Sequence, residues 1–266
     1  MAPIIEVEAV SKRFGGLWAV RDCTLSVAES SITGLIGPNG AGKSTLFNMV
    51  AGVFVPTSGR ILLDGNDVTG LPAHEMFRRK LLRTFQIAHE FSHLTVLENL
   101  MMVPPEQSGE NLLAALALPG RVERQEQEFA ERADEVISFL NLGRVRNEFA
   151  GNLSGGQKKL LELGRTMMTD ARVVLLDEIA AGVNKTLLKD LAGNIVRMNR
   201  ELGYTFFVIE HDMDFIARLC DPVIVMAAGS VLAEGPIDRL RYDERVIDAY
   251  FGGSPHGYAL SSATPA

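Results

Sequence analysis

A glycine-rich segment ending in Lys-Ser-Thr is the first part of the sequence that could do chemistry. It fits the pattern G-x-x-x-x-G-K-[ST], between an apolar stretch and a helical pattern. In such a loop the backbone N–H groups surround a phosphate, the lysine reaches the β- and γ-phosphates, and the first hydroxyl ligates Mg²⁺. A plain glycine-rich turn is the alternative, but the strand–loop–helix context favours a nucleotide phosphate site. The predicted phosphate-binding residues, called the P-loop below, are Gly37, Pro38, Asn39, Gly40, Ala41, Gly42, Lys43, Ser44 and Thr45.

Two adjacent carboxylates, Asp177 and Glu178, directly follow the apolar run 173–176. The carboxyl end of a buried parallel strand faces the crevice where ligands of such sheets bind. Asp177 could hold Mg²⁺ through water, and Glu178 could polarise a water for attack on a γ-phosphate. The alternative is an exposed acidic strand end. The catalytic interpretation is favoured because the same chain carries the P-loop, and because two partly buried carboxylates repel each other unless a cation lies near them.

A second possible anion-binding loop, called the signature loop below, spans residues 153–157 with the sequence L-S-G-G-Q. Ser154 is a good N-cap, and Gly155 and Gly156 leave the N–H groups of the first helical turn open to an anion. One chain does not need two phosphate-binding loops for one nucleotide. The hypothesis is that this loop binds the γ-phosphate held by another copy, although an ordinary capped helix also explains Ser-Gly-Gly.

Composition limits the possible functions. The 266 residues carry 26 Lys+Arg against 33 Asp+Glu, a net charge of −7, which disfavours general nucleic-acid binding. Two cysteines, Cys23 and Cys220, exclude a disulfide framework and a CxxC-type zinc site. Residues 1–10 lack the cationic region of a signal peptide, and no apolar run reaches about 18 residues. We therefore expect a cytoplasmic chain that acts at a membrane only as a peripheral subunit.

The elements that must position these residues alternate along the chain. The predicted strands are 4–10, 24–27, 31–36, 61–63, 82–85, 173–176 and 205–209, with a hairpin of 223–226 and 231–233. The predicted helices are 43–51, 122–140, 154–168 and 185–202. Continuously apolar strands between helices predict a parallel sheet with both faces covered, and the strand-poor middle predicts a helical lobe inserted in an α/β core.

The signature loop, together with this P-loop, resembles the ATP-binding subunits of ABC transporters, and the resemblance covers about residues 4–250. It implies an α/β fold: a P-loop NTPase core with a parallel sheet, an antiparallel β subregion and an inserted helical lobe. A single ABC ATPase domain would span residues 1–251. Its RecA-like core would comprise about 1–95 and 165–240, and its helical lobe about 96–164. Residues 252–266 are rich in Gly, Ser, Pro and Ala and are expected to form a disordered tail.

The resemblance also implies roles for residues outside the two loops. Phe14 matches the aromatic residue that stacks on adenine, although on its own it could be an ordinary packing residue. Gln86 matches the glutamine that contacts Mg²⁺ and the attacking water, and His211 matches the histidine that contacts the γ-phosphate. The implied catalytic residues are Glu178, His211 and Gln86. The implied metal contacts are Ser44, Gln86 and Asp177, and the implied nucleotide contacts are Phe14, the P-loop and Ser154, Gly155, Gly156 and Gln157.

Two positions depart from the common family pattern. Ile179 stands where most members have proline after the catalytic glutamate, which predicts a less rigid backbone there. Asn184 stands where most members have the aspartate that communicates across the dimer. With asparagine at this position, the chain is similar to importers of branched-chain amino acids and their urea-importing relatives.

Three classes of function remain open at this stage. The favoured one is the subunit that energises an importer of small solutes, bound to ATP and Mg²⁺ at the cytoplasmic face of the membrane. Its expected partners are a second ATP-binding subunit, integral membrane permease subunits and, indirectly, an extracytoplasmic solute-binding protein, with no nucleic acid. The stretch 91–102 suits a groove for a partner helix, although core packing explains it nearly as well. The alternatives are a soluble ABC-type ATPase acting on DNA or ribosomes, and another P-loop protein such as a kinase or GTPase, which the signature loop opposes.

Overall fold

The computed structural model describes residues 2–84, 90–105, 107–110, 119–180 and 183–251. Within these ranges the strands are β1 (Pro3–Phe14), β2 (Leu17–Ala28), β3 (Ile32–Ile36), β4 (Ser58–Leu63), β5 (Asn66–Asp67), β6 (Leu81–Arg83), β7 (Val173–Asp177), β8 (Thr205–Ile209), β9 (Val223–Ala227) and β10 (Ser230–Gly235). The α-helices are α1 (Lys43–Val50), α2 (Ala73–Arg78), α3 (Val96–Met101), α4 (Pro119–Phe139), α5 (Gly155–Met167), α6 (Lys185–Leu202), α7 (Met213–Leu219), α8 (Ile237–Leu240) and α9 (Glu244–Phe251).

The larger sheet has six strands in the order β10-β9-β3-β8-β7-β6. The strands from β9 to β6 are parallel, and only β10 runs antiparallel, to β9. Strands β3, β7 and β8 are buried at every position, because both faces of the sheet are covered. The predicted parallel sheet and the predicted β9–β10 hairpin are therefore confirmed.

A second, antiparallel sheet has the order β2-β1-β4-β5. Its first two strands are much longer than the predicted 4–10 and 24–27, and they pair up to Phe14 opposite Leu17 around a turn at Gly15. The sequence prediction was short because several register shifts interrupt the β1–β2 ladder. Such irregularities break the alternation of apolar and polar residues from which strands are predicted.

The core lies on both faces of the six-stranded sheet. Alternate residues of β8 point to opposite faces, so that Phe206 joins one hydrophobic cluster and Phe207 the other. The first cluster contains buried residues of α3, α4, α5 and α6, and the second lies around α1 between the two sheets. In the described ranges, no helix is both long enough and apolar enough to cross a membrane.

The long helices were predicted closely, and the short ones were not. Helix α6 has the predicted bounds, α1 ends one residue before the predicted 43–51, and α5 is one residue shorter at each end than the predicted 154–168. Helix α4 begins three residues before the predicted 122–140. Helices α2, α3 and α7 have six or seven residues, which is too few turns for a clear helical period. The strand predicted over 82–85 begins one residue earlier, at Leu81, and is described as far as Arg83. Residue 85, the last of the predicted strand, lies outside the described residues. The predicted tail 252–266 lies outside them as well.

Candidate active site

The P-loop connects β3 to α1 through backbone conformations that require glycine at two positions. Gly37 has φ +152°, and a Cβ atom there would lie 2.2 Å from the carbonyl oxygen of Met226. Gly42 has φ +97°, and its Cβ would lie 2.4 Å from the carbonyl oxygen of Ala19. Because Gly42 is the N-cap of α1 and has no side chain, the N–H groups of the first helical turn stay open to an anion. Of the other predicted loop residues, Ala41 is buried, Pro38 and Thr45 are half-buried, and Asn39, Gly40 and Ser44 are exposed.

Lys43 is buried at the start of α1 and points back over its own loop. Its Nζ donates to the carbonyl oxygens of Gly37 at 2.7 Å and Pro38 at 3.1 Å. Burial lowers the pKa of the amine, and the nearby charges of Glu178 and Asp177 oppose that shift. The lysine and the acidic pair therefore lie within electrostatic reach of each other. A phosphate oxygen would be a stronger acceptor for this amine than a neutral carbonyl, because its hydrogen bond is charge-assisted.

Asp177 ends β7 and is nearly buried, as its position after an apolar strand predicts. Its Oδ2 accepts a hydrogen bond from Arg83 Nη2 at 2.6 Å. Arg83 thus places a positive charge beside the acidic pair, in addition to that of Lys43. Arg83 was missed by the sequence analysis. The sequence did contain a signal for it: Arg83 is a charged residue at the carboxyl end of a short strand, directly after the apolar pair Leu81 and Leu82.

Glu178 follows immediately, with φ +51°, a left-handed conformation that is uncommon for a residue other than glycine. Its N–H donates to the carbonyl of Ile209 at 2.9 Å, which aligns the end of β7 with the end of β8. A 2.7 Å hydrogen bond joins its Oε1 to Nε2 of His211. Strained backbone of this kind is concentrated at functional sites. The structure thus brings together two predicted catalytic residues that are 33 positions apart in the chain.

The backbone after Glu178 is held without the proline that most family members have. Ile179 is buried in the hydrophobic core, and the N–H of Ala180 donates to Oε1 of Glu210 at 2.6 Å. Burial raises the pKa of the Glu210 carboxyl, against the hydrogen bonds that it accepts. The sequence does not predict this role of Glu210, since nothing local links it to Ala180. Asn184 is the N-cap of α6, and its side chain accepts from the N–H of Leu187 at 3.0 Å.

The signature loop forms a complete capping box at the start of α5. Ser154 Oγ accepts from the N–H of Gln157 at 3.4 Å, and Gln157 Oε1 accepts from the N–H of Ser154 at 2.9 Å. Gly155 is exposed, and Gly156 is buried against Leu187 of α6. Capping explains the serine and the glutamine within one chain. The expected role of the loop toward a second copy stays a prediction.

Phe14 lies at the tip of the β1–β2 hairpin and is 44% exposed. Its ring packs edge-on against Phe54, with 5.5 Å between ring centroids. The same hairpin borders the P-loop, because the carbonyl of Ala19 faces Gly42. The exposed ring is therefore placed on an element that adjoins the P-loop. Gln86, the remaining predicted catalytic residue, lies outside the described residues.

Comparison with known proteins shows the family. The family model for ABC transporters matches residues 20–181, a span that includes the P-loop, the signature loop and the acidic pair. The chain belongs to the ABC transporter family. It is a nucleotide-binding subunit of that family, and as such it binds ATP and is an ATPase.

Relatives and solved structures of the family are similar over nearly the whole chain. The high-affinity branched-chain amino acid transport ATP-binding protein BraF of Pseudomonas aeruginosa is 40% identical over 250 residues, which are 94% of this chain and 98% of the relative. The probable branched-chain amino acid transport ATP-binding protein LivG of Archaeoglobus fulgidus is 39% identical over 94% of this chain and 95% of the relative. A nucleotide-free ATP-binding cassette superposes with a TM-score of 0.81 at 33% identity, covering 94% of this chain and 100% of that one. These matches confirm the predicted family and α/β fold, and they do not favour a soluble ATPase acting on DNA or ribosomes.

Proposed function

We propose that this chain is the ATP-hydrolysing subunit that energises an importer of small solutes, with branched-chain amino acids as the favoured cargo. The similarity to BraF carries the proposal, since it extends over 94% of this chain and 98% of that protein at 40% identity. Asn184 adds to it, because it matches the same branch of importers. The ATPase does not touch the solute, so the cargo is inferred from the relatives alone.

Hydrolysis follows from the contacts at the ends of β7 and β8. Lys43 and the open N–H groups of α1 would hold the β- and γ-phosphates of ATP. Glu178 would accept a proton from a water while that water's oxygen attacks the γ-phosphorus. The bond from that phosphorus to the bridging oxygen breaks, and ADP leaves with the electron pair. His211 is hydrogen-bonded to Glu178 at 2.7 Å and would orient the carboxylate, or turn its N–H to the γ-phosphate once ATP is bound.

The oxygen donors beside the P-loop fit Mg²⁺. Ser44 presents an exposed hydroxyl, and Asp177 has its Oδ1 outside the ion pair that Arg83 makes with Oδ2. The described residues contain no group of three or more His, Cys, Asp or Glu side chains suited to a metal, which agrees with an ion that keeps waters and phosphate oxygens as ligands. When bound, Mg²⁺ neutralises charge on the phosphates. Ser44 and Asp177 would hold it, and Gln86 is the third proposed contact.

Turnover would use two ATP-binding subunits. Each P-loop would face Ser154, Gly155, Gly156 and Gln157 of the other subunit, so that the γ-phosphate joins the two chains until hydrolysis removes it. The second subunit is either another copy or a related chain. We also propose the division into a RecA-like core, about 1–95 and 165–240, and a helical lobe, about 96–164. In support, helices α3, α4 and α5 pack on one another.

The surface toward the permease would begin after Gln86. Within the predicted stretch 91–102, Val96 and Leu100 are fully buried in the core, so part of its apolar character serves packing. Phe91 and Met102 are about half exposed, at 47% and 57%, and remain for a membrane-embedded partner. The chain would thus lie peripherally at the cytoplasmic face of the membrane and meet an extracytoplasmic solute-binding protein only indirectly, with no nucleic acid among its partners.

The decisive experiment is to purify the chain with its partners from membranes of its own source and to reconstitute the complex in liposomes. We expect permease subunits to accompany the chain, and we expect ATP-dependent uptake of labelled leucine in the presence of the co-purified solute-binding protein. The Lys43→Ala complex is the control for uptake that does not depend on ATP. Uptake of urea but not leucine would overturn the assignment of branched-chain amino acids as the cargo. Association with ribosomes or DNA-binding proteins, without a permease, would overturn the importer.

Replacing Phe14 by alanine tests the proposed adenine contact. We expect Phe14→Ala to raise the Kd for ATP roughly tenfold, because stacking of a base on an aromatic ring contributes about 1–3 kcal/mol. Phe14→Tyr should bind ATP as the wild type does. Anisotropy of a fluorescent ATP analogue measures both. Phe91→Ala is the matched control, since Phe91 is similarly exposed but lies on the surface proposed to face the permease. If the wild type and Phe14→Ala bound ATP with equal affinity, Phe14 would be a packing residue and not an adenine contact.

A further inference from the structure

Arg83 is the last residue of β6. Apart from its ion pair with Asp177, it has been given no role so far. Its guanidinium forms a fork: Nη2 donates to Asp177 Oδ2 at 2.6 Å, and Nη1 donates to Asn48 Oδ1 at 2.6 Å. Both distances are short, as expected where a donor or an acceptor is charged. The fork therefore fixes one carboxylate oxygen of Asp177 relative to a residue of α1.

Asn48 extends this connection into the phosphate-binding helix. Its Nδ2 donates to the backbone carbonyl of Ser44 at 2.7 Å, one helical turn earlier. A continuous series of hydrogen bonds thus runs from Asp177 through Arg83 and Asn48 to Ser44. Its two ends are the residues proposed to hold Mg²⁺, and they belong to two different elements, β7 and α1.

Burial makes this arrangement rigid. The side chains of Arg83 and Asp177 are only 16% and 11% exposed, so water competes little for their hydrogen bonds. Pairing of β6 with β7 places Arg83 next to Leu175, two residues before Asp177. A buried ion pair contributes little net stability compared with apolar side chains of the same volume. A role in geometry accounts for such a pair better than a role in stability.

We propose that Arg83 is a positioning residue that holds Asp177 Oδ2 in place, so that Oδ1 is presented toward Mg²⁺ at a defined distance from Ser44. This inference rests on the proposed ATP site. It assigns Arg83 no contact with the substrate. A lysine would supply the charge but not the planar fork, because it cannot hold both acceptors in fixed directions.

The test separates metal affinity from nucleotide affinity and from folding. Binding of a fluorescent ATP analogue is measured with EDTA and then during titration with Mg²⁺, for the wild type, Arg83→Met, Arg83→Lys and Asn48→Ala. We expect Arg83→Met to raise the Mg²⁺ concentration that gives half of the Mg²⁺-dependent change in analogue binding by about tenfold or more. A loss of this size is typical when a residue that orients a metal ligand is removed. Binding in EDTA should not change. Arg83→Lys should resemble Arg83→Met, and Asn48→Ala should shift less in the same direction.

The controls decide between the possible explanations. Arg60→Met removes an exposed arginine that pairs with Glu8 at 2.7 Å in the antiparallel sheet, and it should leave the Mg²⁺ titration unchanged. A lower melting temperature with an unchanged Mg²⁺ titration would make Arg83 merely structural and overturn the proposal. A lower Mg²⁺ requirement would overturn it too, because Arg83 would then compete with the ion. A wild-type chain that binds no ATP would overturn the ATP site itself, whereas normal wild-type binding with indifferent variants overturns Arg83 alone.

Discussion

Glu178→Gln is expected to stop ATP hydrolysis while ATP remains bound. The amide has the shape of the carboxylate and can still accept a hydrogen bond from His211, but it cannot take a proton from the attacking water. Loss of a general base reduces turnover by about 10²–10⁴-fold. Phosphate release measures the loss, and anisotropy of a fluorescent ATP analogue measures the retained binding.

The same variant should accumulate as a closed dimer in the presence of ATP, because in the proposed mechanism hydrolysis is the step that removes the shared γ-phosphate. Size exclusion with light scattering would detect a doubling of mass that depends on ATP. Glu234→Gln, an exposed position on β10, provides the matched control and should hydrolyse ATP as the wild type does. Normal turnover by Glu178→Gln would show that Glu178 is not the base.

Lys43→Ala is expected to abolish ATP binding at the ATP concentrations that saturate the wild type. Hydrogen bonds to a charged group contribute about 1.5–3 kcal/mol each, so the loss of two phosphate contacts weakens binding by at least roughly a hundredfold. The same substitution also removes the donor that holds the carbonyls of Gly37 and Pro38. The loop that must surround the phosphates is then less well ordered as well.

Nucleotide affinity and folding are measured separately in this case. A titration with the fluorescent ATP analogue gives the affinity, and thermal denaturation without nucleotide shows whether the fold survives. Lys189→Ala changes an exposed lysine on α6 and should bind ATP normally. Unchanged affinity in a folded Lys43→Ala protein would contradict the phosphate-binding role of Lys43.

Local sequence was sufficient wherever a structure depends on neighbouring residues. The P-loop could be predicted because its glycines, lysine and hydroxyls are contiguous, and because an apolar strand precedes it and a helical pattern follows it. Strands β3, β7 and β8 were recognisable as buried because their apolar runs are continuous. Helix α6 was long enough for its period to give both ends correctly.

Tertiary structure decided the contacts on which the chemistry depends. Glu178 meets His211 because β7 and β8 are neighbours in the sheet, and Arg83 meets Asp177, 94 residues away, because β6 lies beside β7. Strand order is set by how the whole chain packs, so no local pattern reveals which polar ends become neighbours. For the same reason, the packing of Val96 and Leu100 into the core could not be separated in advance from a partner surface. Sequence therefore determined which residues can act on a nucleotide, and packing determined which of them act on one another.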